Sequence, residues 1–137
     1  MIIISRPLVG KVYARYGSKF IIYPGLGLFI LGLFGLGLAT TPMAIILTAP
    51  LLGLGYGAAQ PAFQALAIQS APIERAGVST ATYFLALDIS VGAGSIILAL
   101  LANALGYQYL YIIAALVMVI ALSLYHVWIK KYTPLEI

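Results

Sequence analysis

Cysteine is absent from this 137-residue chain, and with it go disulfide frameworks, thiolate metal sites and cysteine nucleophiles. Histidine occurs once, at His126 near the end of the last apolar run, so a zinc centre and a Ser–His–Asp triad both lack parts. Charge is equally scarce. Asp, Glu, Lys and Arg make up 7 % of the residues, whereas an ordinary soluble domain carries about 25 %. That is too little to coat a globule in water. The net charge of +4 comes from cations gathered at the ends of apolar runs, not interleaved with base-stacking aromatics, which argues against a nucleic-acid partner. The glycine-rich phrases Gly25-x-Gly27 and Gly53-x-Gly55-x-Gly57 lie inside apolar runs with no strand before them, so a dinucleotide-binding loop fails on context. With no nucleophile–base pair, metal-ligand cluster or phosphate cradle, the sequence reads as no enzyme and calls for no cofactor or metal.

What is present is apolar: hydrophobic residues make up 64 % of the chain, and the mean hydropathy is +1.11. A bilayer span needs about 20 mostly apolar residues. Runs over 20–39, 43–68, 77–102 and 109–128 meet that length, and they predict an all-α membrane protein with a four-helix segment over 20–129. The opening MIIIS is too short for a signal-peptide core and has no basic region before it, so it reads as the end of another apolar helix. Residues 1–19 are then a residual helix end and a basic connection, carrying Arg6, Lys11, Arg15 and Lys19 without an acid. Residues 130–137 form a tail that opens with Lys130 and Lys131.

The cations also set an orientation. Arg75 lies in the connection Gln69–Ala76, whereas the opposite turns Thr40-Thr41-Pro42 and Ala104-Leu105-Gly106-Tyr107-Gln108 carry no charge. By the positive-inside rule both termini are expected in the cytoplasm. Tyr107, Tyr109 and Tyr111 at one end, and Tyr125 and Trp128 at the other, suit the two interfacial aromatic belts, with His126 as an interfacial side chain.

The third run holds the chain's intramembrane acid. Between Gly77 and Leu101 the only carboxylate is Asp88, near the middle, where insertion scales charge about 2.5–3.5 kcal/mol for it. Gly92 and Ser95 share its helical stripe, which suits a neighbouring helix or a watery cavity better than acyl chains. In the second run Gly53, Gly57, Gln60 and Gln64 fall on one stripe, either a substrate-facing wall or an interhelical hydrogen-bond seam. Pro50 and Pro61 each remove a backbone donor and predict bends. In the first run Gly25, Gly32 and Gly35 lie near one face and permit close backbone approach, a packing role that Gly53, Gly57 and Gly92 are expected to share.

Gly10-Lys11-Val12-Tyr13-Ala14-Arg15-Tyr16-Gly17-Ser18-Lys19 resembles the G-x-x-x-D-R-x-G-x-K loop signature of the major facilitator superfamily. Gly53-x-Gly55-x-Gly57 through Pro61 is similar to the tenth helix of that family. Ser79 to Ser95, with Asp88 inside it, is similar to the eleventh helix of its drug-efflux-type members. Two positions depart from the pattern: Ala14 stands where the loop signature has its acid, and Ser90 where the efflux phrase has glycine. The resemblance implies the last four helices of a twelve-helix transporter of the cell membrane, inactive alone. Such a machine would exchange protons for small, drug-like molecules. It further implies that Gly10, Arg15, Gly17 and Lys19 belong to a cytoplasmic conformational loop, and that Asp88, Gln60 and Gln64 line or brace the substrate and proton pathway. The partners it implies are the lipid bilayer, the remaining helices, a small-molecule substrate and protons. Two other readings stand beside it. One is a small four-helix membrane protein acting as an oligomer or a non-catalytic partner subunit; the other is a truncated reading frame. Asp88 hydrogen-bonded to a neighbouring helix, never meeting substrate or proton, is the plainer account of that residue.

Overall fold

The structure is a computed structural model that describes residues 7, 11, 12, 14–17 and 19–132. Four long helices dominate it: α1 over Lys19–Leu38, α2 over Pro42–Gln69, α3 over Ala76–Leu105 and α4 over Tyr107–Tyr132. Each is long and apolar enough to cross a membrane. In a medium without water a helix satisfies its own backbone, which is why near-continuous apolar sequence takes this form.

The connections follow from local chemistry. Lys11, Val12 and Ala14–Tyr16 are helical, and Gly17 ends that stretch with φ +82, a left-handed conformation that favours glycine. Thr41 caps α2: its backbone is extended, its hydroxyl accepts from the Ala44 amide at 3.4 Å, and Pro42 fills the first helical position. At the far end the Ser70 hydroxyl donates to the Leu66 carbonyl at 2.7 Å. A short 3-10 turn over Ile73–Arg75 leads into α3.

Helix α2 stays continuous through Pro50 and Pro61, and α1 through Pro24. The turn between α3 and α4 differs from the five-residue stretch expected. It is made by one non-helical residue, Gly106, at φ 86 and ψ 164. That conformation is essentially open to glycine alone, so the chain reverses there without unwinding either helix further. Both helices are accordingly longer at this end than 77–102 and 109–128.

Helices consecutive in the chain run antiparallel, as do α1 and α4. Gly25 lies beside Gly55 and Gly35 beside Thr48, while Gly37 meets Ile112 and Tyr23 meets His126. The starts of α1 and α3 and the ends of α2 and α4 therefore gather at one end of the bundle. With them come Lys19, Arg75, Lys130 and Lys131. The tightest contact is α1 on α2, around Ile21, Ile22, Leu26, Ala59 and Ala62, with Met118, Leu122 and Tyr125 of α4 packed against that core. A Cβ added to Gly55 would stand 2.5 Å from the Phe29 nitrogen and 2.7 Å from the Gly25 carbonyl oxygen, so the two backbones touch. Gly32 and Gly35 lie on the same contact, against Leu52 and Thr48. Helix α3 is the outlier: none of its residues is buried.

Candidate functional site

The side chains that could meet a ligand surround the gap where α3 stands off from the rest. Side-chain hydrogen bonds tether it to α2. Ser79 donates to the Ala67 carbonyl at 2.5 Å and Tyr83 to the Gln60 carbonyl at 3.3 Å. Both use hydroxyls on the face of α3 turned towards α2. Between these tethers and α4 the bundle is not filled.

Two adjoining spaces result. A cavity of about 240 Å³ lies among all four helices, lined by Leu26 and Phe29 of α1, Tyr56 and Gln60 of α2, Tyr83 of α3 and Met118 of α4. It shares the walls Phe63, Tyr83 and Leu87 with an open groove of about 700 Å³ between α2, α3 and α4, which reaches Ser70, Tyr125 and Trp128. Rings fix the walls. Phe63 meets Tyr125 edge-on at 5.5 Å, and Tyr125 meets Tyr23 at 5.8 Å. The lining is overwhelmingly apolar, so shape and dispersion would select an occupant more than hydrogen bonding.

Of the residues singled out from sequence, Gln60 lines the inner cavity. Gln64 is half-buried one turn further on but borders neither space. Asp88 is exposed. It sits about 140° round the helix from Tyr83 at 3.6 residues per turn, on the side of α3 facing away from the other three helices. Gly92 and Ser95 share that outward face, and a Cβ on Gly92 would meet nothing within 4 Å. The structure therefore does not bring Asp88 together with Gln60 and Gln64. The hydroxyls around Asp88 are used internally: Ser90 donates to Ala86 at 2.6 Å, and Ser95 to Gly92 at 2.8 Å. Asp88 itself makes no hydrogen bond or ion pair among the described residues. Gly57 is buried and Gly53 half-buried on α2.

In the basic connection, Arg15 is helical and exposed, Gly17 supplies the break before α1, and Lys19 opens that helix. Gly10 lies outside the described residues. His126 is more than an interfacial side chain: its Nδ1 lies 2.7 Å from the Tyr23 hydroxyl, joining α4 to α1. Neither that contact nor the Tyr83 tether has a signal in sequence, because each joins residues that only the packing brings together. Among the described residues no cluster of His, Asp and Glu could hold a metal.

A family model described as Major Facilitator Superfamily matches residues 1–136. The relatives include the uncharacterized MFS-type transporter YhhS of Escherichia coli O6:H1, 33 % identical over 109 residues, which are 79 % of this chain and 26 % of the relative. The protein of the same name from Escherichia coli K12 is 32 % identical over 107 residues (78 % and 26 %), and that from Salmonella typhi 30 % over 108 residues (79 % and 26 %). The chain thus spans about a quarter of the length of the curated relatives it matches. No solved structure matches.

Proposed function

The chain belongs to the major facilitator superfamily, and from that premise we propose that it forms the last four helices of a twelve-helix secondary transporter that exports small, drug-like molecules in exchange for protons. Membership makes it part of a transporter family and not an enzyme, and its four apolar helices make it a multi-pass membrane protein. The observation that carries the proposal is the family match along the whole chain, read with the short share of each relative that the chain covers. Transporters built from repeated helical bundles hold substrate between the bundles and alternate access by rocking one against the other. On this reading the 137 residues alone do not transport.

The end that gathers Lys19, Arg75, Lys130 and Lys131 is the cytoplasmic one, supported by the uncharged turns at the other end, and the membrane is the cell membrane. Gly10, Arg15, Gly17 and Lys19 then form the conformational loop. Asp88 carries the coupling proton. Its place on the free face of α3, with no partner among these helices, supports a role towards the rest of the transporter. Gln60 belongs to the substrate wall, supported by its place in the inner cavity, and Gln64 braces that wall.

The test is Asp88→Asn in the full-length protein, reconstituted in vesicles under an imposed proton gradient. Substrate binding should persist while proton-driven efflux is lost; efflux at the unmodified rate would remove Asp88 from the mechanism. The unburied α3 also favours a second reading, a four-helix oligomer that closes on this face. Ser95→Cys would then cross-link copies of the 137-residue chain in the membrane, and the transporter reading expects no such product.

A further inference from the structure

The groove between α2, α3 and α4 has a length, a lining and a rim that together specify an occupant. Along α4 it runs from Trp128 to Met118, about 15 Å at 1.5 Å per residue, which is the depth of one leaflet of a hydrocarbon core about 30 Å thick. Its walls are Phe63, Leu66, Ala86 and Leu87, and the hydroxyls deep within it, on Ser90 and Tyr83, are already donated to the Ala86 and Gln60 carbonyls. Further polar groups gather towards the shallow end, with Ser70, the Tyr125 hydroxyl and the Trp128 indole.

Among the described residues the charges beyond that end are mostly cationic. Lys130 and Lys131 lie in the last turn of α4 just past Trp128, and Arg75 follows Ser70 through the short 3-10 turn. Against them Glu74 is the only described carboxylate at this end of the bundle. An apolar channel one leaflet deep, opening onto a cationic rim, matches a single lipid. The acyl chain is recognised by the walls, and the headgroup by its negative charge.

We propose that this groove binds an anionic phospholipid of the leaflet at the cationic end, its acyl chain between α3 and α4 and its phosphate held by Lys130, Lys131 and Arg75. The chain carries a single tryptophan, Trp128, and it stands in the groove, so its fluorescence reports occupancy directly. Lipid binding here requires only that the helices cross a bilayer, so a negative result leaves the transport reading intact.

The test uses the 137-residue chain in phosphatidylcholine bilayers doped with phosphatidylglycerol brominated along its acyl chains, and the reciprocal series with the bromine on phosphatidylcholine. Brominated phosphatidylglycerol should quench Trp128 at least tenfold more effectively per mole fraction than brominated phosphatidylcholine. The paired change Lys130→Gln and Lys131→Gln should lower that preference about fivefold per charge removed, leaving only the share that Arg75 supplies. Ala86→Phe places a ring in the groove and should abolish the preference with both lysines intact. Ser90→Leu repeats that test, and circular dichroism verifies that either variant keeps its helicity. Equal quenching by the two lipids would overturn the proposal. So would a preference that survives both groove-filling variants, since attraction to the surface alone would explain it. Quenching by neither lipid would mean that protein covers the groove, and would overturn it too.

Discussion

Gly55→Ala should be among the most damaging single-methyl changes in this protein, and the reason is geometric. The added carbon would stand 2.5 Å from the Phe29 nitrogen and 2.7 Å from the Gly25 carbonyl oxygen. Comfortable carbon contacts lie at about 3.5–4.0 Å, so α1 and α2 must part by about 1 Å. Both obstructing atoms belong to the α1 backbone and cannot swing aside as a side chain would. A gap of that size forfeits about a quarter to a half of each dispersion contact across the seam, including those of Ile22, Leu26, Ala59 and Ala62. Overpacking of this kind costs about 1–3 kcal/mol, and rigid obstruction places Gly55→Ala in the upper half of that range. Gly27→Ala is the control. Gly27 is helical too, but a Cβ there meets nothing within 4 Å. Any helix-propensity gain, about 1 kcal/mol, is common to both variants and cancels in the comparison. Reversible unfolding in mixed micelles, followed by ellipticity and by Trp128 fluorescence, would measure the difference. Two variants agreeing within about 0.5 kcal/mol would refute the close-contact argument, since that is the scatter of changes that touch nothing.

Two further outcomes follow from the same contacts. Gly106→Ala should cost about 1–3 kcal/mol, because φ 86 with ψ 164 is a glycine conformation, and micelle unfolding would register it. A double-mutant cycle on Tyr23→Phe and His126→Phe should return a coupling of about 0.6 kcal/mol, with a ceiling near 1.7, the range of interhelical hydrogen bonds in membranes. Zero coupling would mean that the 2.7 Å contact between α1 and α4 adds nothing to the bundle.

Much of this architecture was legible one residue at a time. Span length and hydropathy are local properties, and they pointed to four long apolar helices, which the structure has. Turn chemistry is local too. Pro42 read as a first-turn residue and sits there, and Gly106 lay within the expected turn although the turn needs no other residue. The close-approach face of α1 was visible as Gly25, Gly32 and Gly35, and those glycines do meet α2.

Asp88 was equally conspicuous, because a carboxylate inside an apolar run stands out in any reading. Its surroundings were not. The resemblance implied that Asp88, Gln60 and Gln64 line or brace one pathway; among these four helices Asp88 faces outwards and Gln60 stands beside Tyr83 and Phe29. Likewise His126 read as an interfacial side chain, and the packing gave it Tyr23.

The physical reason is common to all of these. A helix of a water-soluble protein announces its inner face by a stripe of apolar residues, but these helices are apolar all round. In lipid, moreover, hydrophobicity does not draw one helix to another; close packing of small residues and a few hydrogen bonds do. Sequence by itself therefore determined that the chain crosses the membrane and where it turns. Which face of each helix meets which neighbour, and so where the groove opens and which way Asp88 points, was decided by the fit of Gly25 to Gly55, Gly35 to Thr48 and Tyr83 to Gln60.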